Sequence, residues 1–284
     1  MKTPMDIKKE IGFLRENFIF YLAGALVILG LKCYYRQADC DSLLWILAPT
    51  AHWVEFLSKI PFTYISGAGY VNHSLRMVIA PSCSGVRFMI IAFAMLVFSF
   101  VHRVASGQTA SGSEGAVLTS PDASLPVGSG ARSGLRAKAR GLGWIAVSAF
   151  FSWIFTVFVN GLRIITAIYL PMYLESAGLM GGMLTQERLH TMIGVAVYFA
   201  ALLLLYRLAA GLIQGGTGEK ASFVRKCVPP VFWYLALTLG LPLISRVYRG
   251  STVGFAEFAA LVTGCCAMIL LPCIIAQFLR RRKN

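Results

Sequence analysis

Residues 77–101 read MVIAPSCSGVRFMIIAFAMLVFSFV, and this stretch decides the fold. A helix crosses a bilayer with roughly 20 mainly apolar residues. The run exceeds that length and holds one charge, Arg87. Its head differs from the rest. Pro81, Ser82, Cys83, Ser84 and Gly85 put two hydroxyls, a thiol and two backbone-shaping residues at the end of a membrane span.

Five more runs share the apolar pattern: 18–31 (extended by Tyr34 and Tyr35), 144–170, 191–212, 231–244 and 255–278. The whole chain is 57% hydrophobic and 13% charged, against about 45–50% and 25% for ordinary soluble domains. The expected fold is therefore an all-α, polytopic membrane bundle with about six transmembrane helices. The formal charge of +14 would suggest nucleic acid in a soluble chain. Here Lys and Arg sit in short loops between apolar runs, as cytoplasmic loops do. The bilayer is the expected partner, and nucleic acid is not. Lys2, Lys8, Lys9 and Arg15 precede the first run with no small-residue cleavage pattern after it, which reads as a retained anchor.

Segment 42–62 is the ambiguous one. Leu43 to Leu47 are apolar, but Pro49, His52, Glu55 and Lys59 interrupt. With Trp45, Trp53, Phe56 and Phe62 it reads as an interfacial or re-entrant helix. A full span here would invert everything downstream and carry the Arg132–Arg140 cluster outside. The positive-inside rule favours six spans with both termini cytoplasmic. Segment 102–142 then becomes a mobile cytoplasmic loop, rich in Ser, Gly, Ala and Thr. Its basic end is expected near anionic headgroups. Cysteines form no framework. Cys33 and Cys40 flank a short polar loop and could pair if it is extracytoplasmic. No metal spacing, dinucleotide fingerprint or phosphate-cradling loop is present, so no cofactor is expected.

Candidate chemistry gathers at the outer ends of three spans. Either Pro81 opens the second span or Ser82 caps it. Both readings put Cys83 in the first helical turn, where the helix dipole and free N–H groups favour a thiolate. Gly85 is expected to admit the backbone of a substrate. The N–H groups near Ser84 and Gly85 are candidate oxyanion donors. Arg87, four residues on, is expected one turn below Cys83 on the same face. Asn160 and Arg163 lie within the third span, three residues apart. No acid in that segment neutralises Arg163, so its guanidinium needs a partner helix, water or an anion. Asn160 is placed to orient it. His190 opens the fourth span, with Glu187 three residues earlier to orient it, and suits proton transfer. His52 and His73 compete for that role. A thiol, a cation and an imidazole on separate helices form a kit for acyl transfer through a thioester.

The ordered triple Ala80-Pro81-Ser82-Cys83-Ser84-Gly85-Val86-Arg87, Asn160-Gly161-Leu162-Arg163-Ile164 and His190 before an apolar span resembles the exosortase and archaeosortase family. The likeness covers about residues 70–206. It implies a membrane-embedded cysteine transpeptidase or protease with Cys83 as nucleophile, Arg163 as charge stabiliser and His190 as third catalytic residue. The histidine fits the bacterial branch, and hence a bacterial inner membrane. The resemblance also implies protein substrates bearing a C-terminal sorting signal: a short motif, one transmembrane helix and a basic tail. Residues 1–212 would form the catalytic domain and 213–284 a C-terminal helix pair. The competing class is a small transporter or channel, with Arg163 and Arg87 binding an anionic solute. A membrane scaffold for envelope assembly is the third.

Overall fold

The structure, a computed structural model, describes residues 4–107, 129–179, 181, 185–214, 223–248 and 254–283. In chain order come α1 (Pro4–Gln37), α2 (Leu44–Ser58), β1 (Thr63–Ile65), β2 (Gly69–Asn72), β3 (Met77–Ile79), a 3-10 turn (Pro81–Cys83) and α3 (Val86–Ser106). Then follow α4 (Ser129–Ser176), α5 (Gln186–Gln214), α6 (Phe223–Leu235), α7 (Leu241–Tyr248) and α8 (Phe255–Lys283). A π turn at Ala236–Gly240 joins α6 to α7 without a break. Six segments are long and apolar enough to cross a membrane: Asn17–Gln37, Pro81–Ser106, Leu135–Ser176, Gln186–Ile213, Cys227–Ser245 and Phe255–Pro272. The chain is a multi-pass, all-α membrane bundle, and each of the six expected spans has its counterpart.

The central post is α3. From Val86 to Val97 every residue is buried except Arg87. Glycines in the left-handed region close both ends, Gly85 at φ +76° and Gly107 at φ +75°. Beyond its C-terminus, Arg140 of α4 donates to the carbonyl of Ala105 at 3.1 Å. That sets a cation on the negative end of the α3 dipole. α1 closes on α3 at Gly24, where a Cβ would lie 2.9 Å from Val97 Cγ1. One apolar core joins α3 (Phe88, Met95) to α5 (Phe199, Leu202), α6 (Tyr234) and α8 (Val262, Cys265). The C-terminal helices thus share the core of the preceding spans.

Three expectations need correction. Residues 77–79 are not the start of a span but the last strand of an antiparallel meander, β1-β2-β3. β-Branched and aromatic residues in short runs with turns between them favour this pairing. Segment 102–142 is not one long loop. α3 continues to Ser106 and α4 starts at Ser129, so the basic end is helical; residues 108–128 lie outside the described residues. Arg, Ala, Leu and Lys in that stretch are good helix formers, and α4 simply runs on through them. Cys33 and Cys40 are both free thiols.

Segment 42–62 is not a seventh span. α2 has 15 residues, about 22 Å of rise, against a hydrocarbon core of about 30 Å. It stands alongside α4. Trp153 Nε1 donates to the Trp45 carbonyl at 3.3 Å, and Trp53 covers Gly161, where a Cβ would lie 2.3 Å from Trp53 Cδ1. The partners advance equally along both helices, so the two run in the same direction. The meander packs on α2 through Tyr70 and Ile79. Asp41 ties its first turn down, accepting from Tyr64 Oη, from Ser66 Oγ at 2.9 Å and from Gly67 N–H at 3.4 Å.

Gly161→Ala forces Trp53 off α4 and lowers stability by about 1–3 kcal/mol, the range for overpacking. In thermal unfolding, Trp53→Ala relieves most of that loss in the double variant; additive losses would contradict the contact. The Asp41–Tyr64 bond has a pH window. The bonds from Tyr64 and Ser66 hold the Asp41 carboxyl below the usual range. Its contribution is present above the ordinary value of about 3.9 and lost as pH falls through the lowered one. The same bond pushes the Tyr64 hydroxyl up to about 12. That contribution is full below the ordinary value of about 10 and lost as pH rises through the raised one. Intrinsic-rate-corrected hydrogen exchange at the β1–β2 turn is therefore flat from about pH 5 to about 9 and faster on both sides. A turn that stays protected in acid and base contradicts the tie.

Candidate active site

Cys83 does not lie in the first turn of α3. It ends the 3-10 turn Pro81–Cys83, and α3 begins only at Val86, beyond the left-handed Gly85. Pro81 opens that turn, as its fixed φ allows; the Ser82 side chain caps nothing. The turn is pinned from several sides. Cys83 N–H donates to the Ala80 carbonyl at 2.8 Å and Ser84 N–H to the Pro81 carbonyl at 3.1 Å. Tyr35 Oη, at the end of α1, donates to the Pro81 carbonyl at 3.1 Å. Asn160 Nδ2 of α4 donates to the carbonyl of Cys83 at 2.5 Å.

These bonds reassign several roles. The Ser84 N–H is already spent on Pro81, so it is no oxyanion donor in this geometry. Ser84 is fully buried, and its Oγ accepts from Val86 N–H at 3.4 Å, a local turn contact. Gly85 makes room for α4, not for a substrate backbone. A Cβ there would lie 2.9 Å from Thr156 Cγ2 and 3.0 Å from Asn160 Cγ. Asn160 bonds the Cys83 carbonyl, not Arg163. Arg87 is exposed, and among the described residues its side chain makes no hydrogen bond or ion pair. The αL reversal at Gly85 breaks the four-residue register that would have put it beneath Cys83.

Arg163 is 7% exposed. Its Nη2 lies 2.6 Å from His190 Nε2, and its guanidinium lies 5.7 Å from the ring centre of Tyr198. Among the described residues no carboxylate pairs with it, and its Nε is buried without a hydrogen bond. A guanidinium has donors only, so His190 Nε2 must present its lone pair, and the ring's proton sits on Nδ1. Glu187 does not orient His190. Its side chain is exposed, and Thr191 Oγ1 donates to its carbonyl at 3.0 Å. The orienting group is Arg163. Of the rival histidines, His52 pairs with Glu55 at 3.0 Å and His73 is exposed in the β2–β3 turn.

Two residues escaped sequence reasoning. Tyr198 Oη donates to Asn160 Oδ1 at 2.7 Å, so Cys83, Asn160, Tyr198, Arg163 and His190 form one connected cluster. Gly194 lies between His190 and Tyr198, with its missing Cβ 3.5 Å from Arg163 Nε. The available signal was the stride of four, His190–Gly194–Tyr198, which places all three on one face of α5. A buried tyrosine in an apolar span also has a hydroxyl to satisfy.

Comparison of the chain with protein-family models, with curated proteins and with solved structures finds no match.

The Arg163–His190 contact predicts a tautomer. Nitrogen NMR of the four histidines, with His190 assigned through His190→Gln, will find His190 neutral and protonated on Nδ1. A proton on Nε2 would contradict the contact.

Proposed function

We propose that the chain is a membrane-embedded cysteine transpeptidase or protease of the exosortase kind. It acts at the extracytoplasmic face of a bacterial inner membrane, with both termini cytoplasmic. Its substrates are exported proteins with a C-terminal sorting signal: a short motif, a transmembrane helix and a basic tail. The observation that carries this reading is the buried Arg163, without a carboxylate partner among the described residues, bonded to His190 and linked through Tyr198 and Asn160 to the backbone of Cys83. The ordered motif resemblance names the same three residues.

The chemistry runs in two halves. The substrate's scissile carbonyl enters beside Cys83. Arg163 turns an N–H from His190 to the carbonyl oxygen, where negative charge develops. Nε2 of His190, now free, takes the thiol proton as the sulfur–carbon bond forms. The tetrahedral intermediate collapses, the carbon–nitrogen bond breaks, and His190 returns the proton to the leaving amine. A thioester on Cys83 remains. Water then yields proteolysis, or an acceptor amine yields transfer; either attack restores the thiol. His190 thus serves as base and acid in turn, and its resting bond to Arg163 keeps the base covered until substrate arrives.

The test is processing of a co-expressed protein bearing such a signal. Cys83→Ala and Cys83→Ser abolish it. Arg163→Ala lowers the rate by roughly 10²–10³, the usual loss of an oxyanion donor. Unchanged processing in both Cys83 variants removes the reading. Flux of an anionic solute that depends on Arg163 and survives Cys83→Ala would instead select the transporter class.

A further inference from the structure

We infer that Asn160 and Tyr198 are a positioning pair for Cys83, with Tyr198 acting twice: its hydroxyl fixes the nucleophile's backbone and its ring carries Arg163. The inference rests on the reading of Cys83 as nucleophile, but its geometry stands apart from that reading.

The direction of the hydrogen bonds is forced. A carbonyl only accepts, so Asn160 must aim its amide nitrogen at Cys83. That leaves Oδ1 toward Tyr198, and Tyr198 must donate. Asn160 is fully buried, so a turned amide would leave a polar group unpaired at a cost of about 1–3 kcal/mol. The tyrosine hydroxyl therefore acts as a lock on the amide's orientation. The amide in turn serves a carbonyl that lies ahead of α3, outside that helix's regular ladder. Gly85 completes the device. Any side chain there would press on Asn160, whose Cγ lies 3.0 Å from the missing Cβ.

The ring of Tyr198 does the second job. The guanidinium of Arg163 lies over it at 5.7 Å, within the reach of a cation–π contact. Arg163 also crosses α5 beside Gly194, where a Cβ would come 3.5 Å from its Nε. One α5 residue thereby sets both the nucleophile's turn, through α4, and the cation's resting place. Tyr198 is a positioning residue: its hydroxyl reaches the nucleophile's backbone through Asn160.

The test uses the full-length protein in detergent. Tyr198→Phe removes one oxygen and keeps the ring. Asn160→Asp keeps the shape and removes the donor. Both are expected to speed hydrogen exchange at the Cys83 and Ser84 amides by about two- to tenfold, the equivalent of one buried hydrogen bond. Tyr234→Phe, a buried tyrosine outside the cluster, is expected to leave those amides unchanged. On a sorting-signal substrate, Tyr198→Phe lowers kcat by a similar factor with KM unchanged, and Tyr198→Leu lowers it further because the ring is lost too. Unchanged exchange at Cys83 and Ser84 in Tyr198→Phe overturns the inference. So does a raised KM with kcat unchanged, which would make Tyr198 a substrate contact. The exchange measurement needs no substrate. Looser amides in a protein that processes nothing would retire the peptidase reading and keep the positioning pair.

Discussion

A buried arginine without a carboxylate is the constraint on which the site depends. Burying an ion costs several kcal/mol even after relaxation, and Arg163 is 7% exposed with no acid beside it among the described residues. Three neutral arrangements make the position tolerable. His190 offers a lone pair, Tyr198 offers the face of a ring, and Gly194 leaves space beside the Nε. None of them neutralises the charge. The site therefore keeps an unbalanced cation with one buried N–H still unused. That is the electrostatic state in which an incoming oxyanion gains most.

The rest of the bundle links this cation, through Tyr198 and Asn160, to the backbone turn that carries Cys83. α4 contributes Asn160 and Arg163 from a single face, and α5 contributes His190, Gly194 and Tyr198 from another. Glycines set the spacing at both flanks. Gly85 lets α4 come against the 3-10 turn, and Gly161 lets α2 lie on α4 through Trp53. α2 lies along α4 and the meander packs on α2, without adding a seventh crossing. Above them, Asp41 fixes the β1–β2 turn by accepting from Tyr64, Ser66 and Gly67. α1 reaches the 3-10 turn through Tyr35, which donates to the Pro81 carbonyl. α1 and α4 thus converge directly on the backbone around Cys83, and α5 supports it through Asn160.

Six crossings were legible in the sequence because lipid demands long apolar runs; segment 42–62, interrupted by Pro49, His52, Glu55 and Lys59, was the ambiguous one. Cys83, Arg163 and His190 stood out as candidates because a thiol, a charge and an imidazole in or beside apolar spans contrast with leucine and valine. What stayed hidden depended on tertiary geometry. The strand at 77–79 carries the same apolar residues as a helix would, so periodicity does not separate them. The αL turn at Gly85 is a backbone choice that moves Arg87 away from Cys83 and Cys83 out of the helix. Glu187 had the right spacing but faces solvent, while His190 turns to Arg163 on another helix. Tyr198 resembled an ordinary aromatic of a membrane span until Asn160 was seen beside its hydroxyl.

Capture of the covalent intermediate tests the central claim most directly. Purified protein, mixed with a substrate carrying a C-terminal sorting signal and quenched in acid, is analysed by intact and peptide mass spectrometry. The chemistry described here gives an acyl adduct on Cys83 that equals the substrate's upstream portion and is released by neutral hydroxylamine. Cleaved substrate with no adduct at Cys83, or with the adduct on another residue, contradicts it.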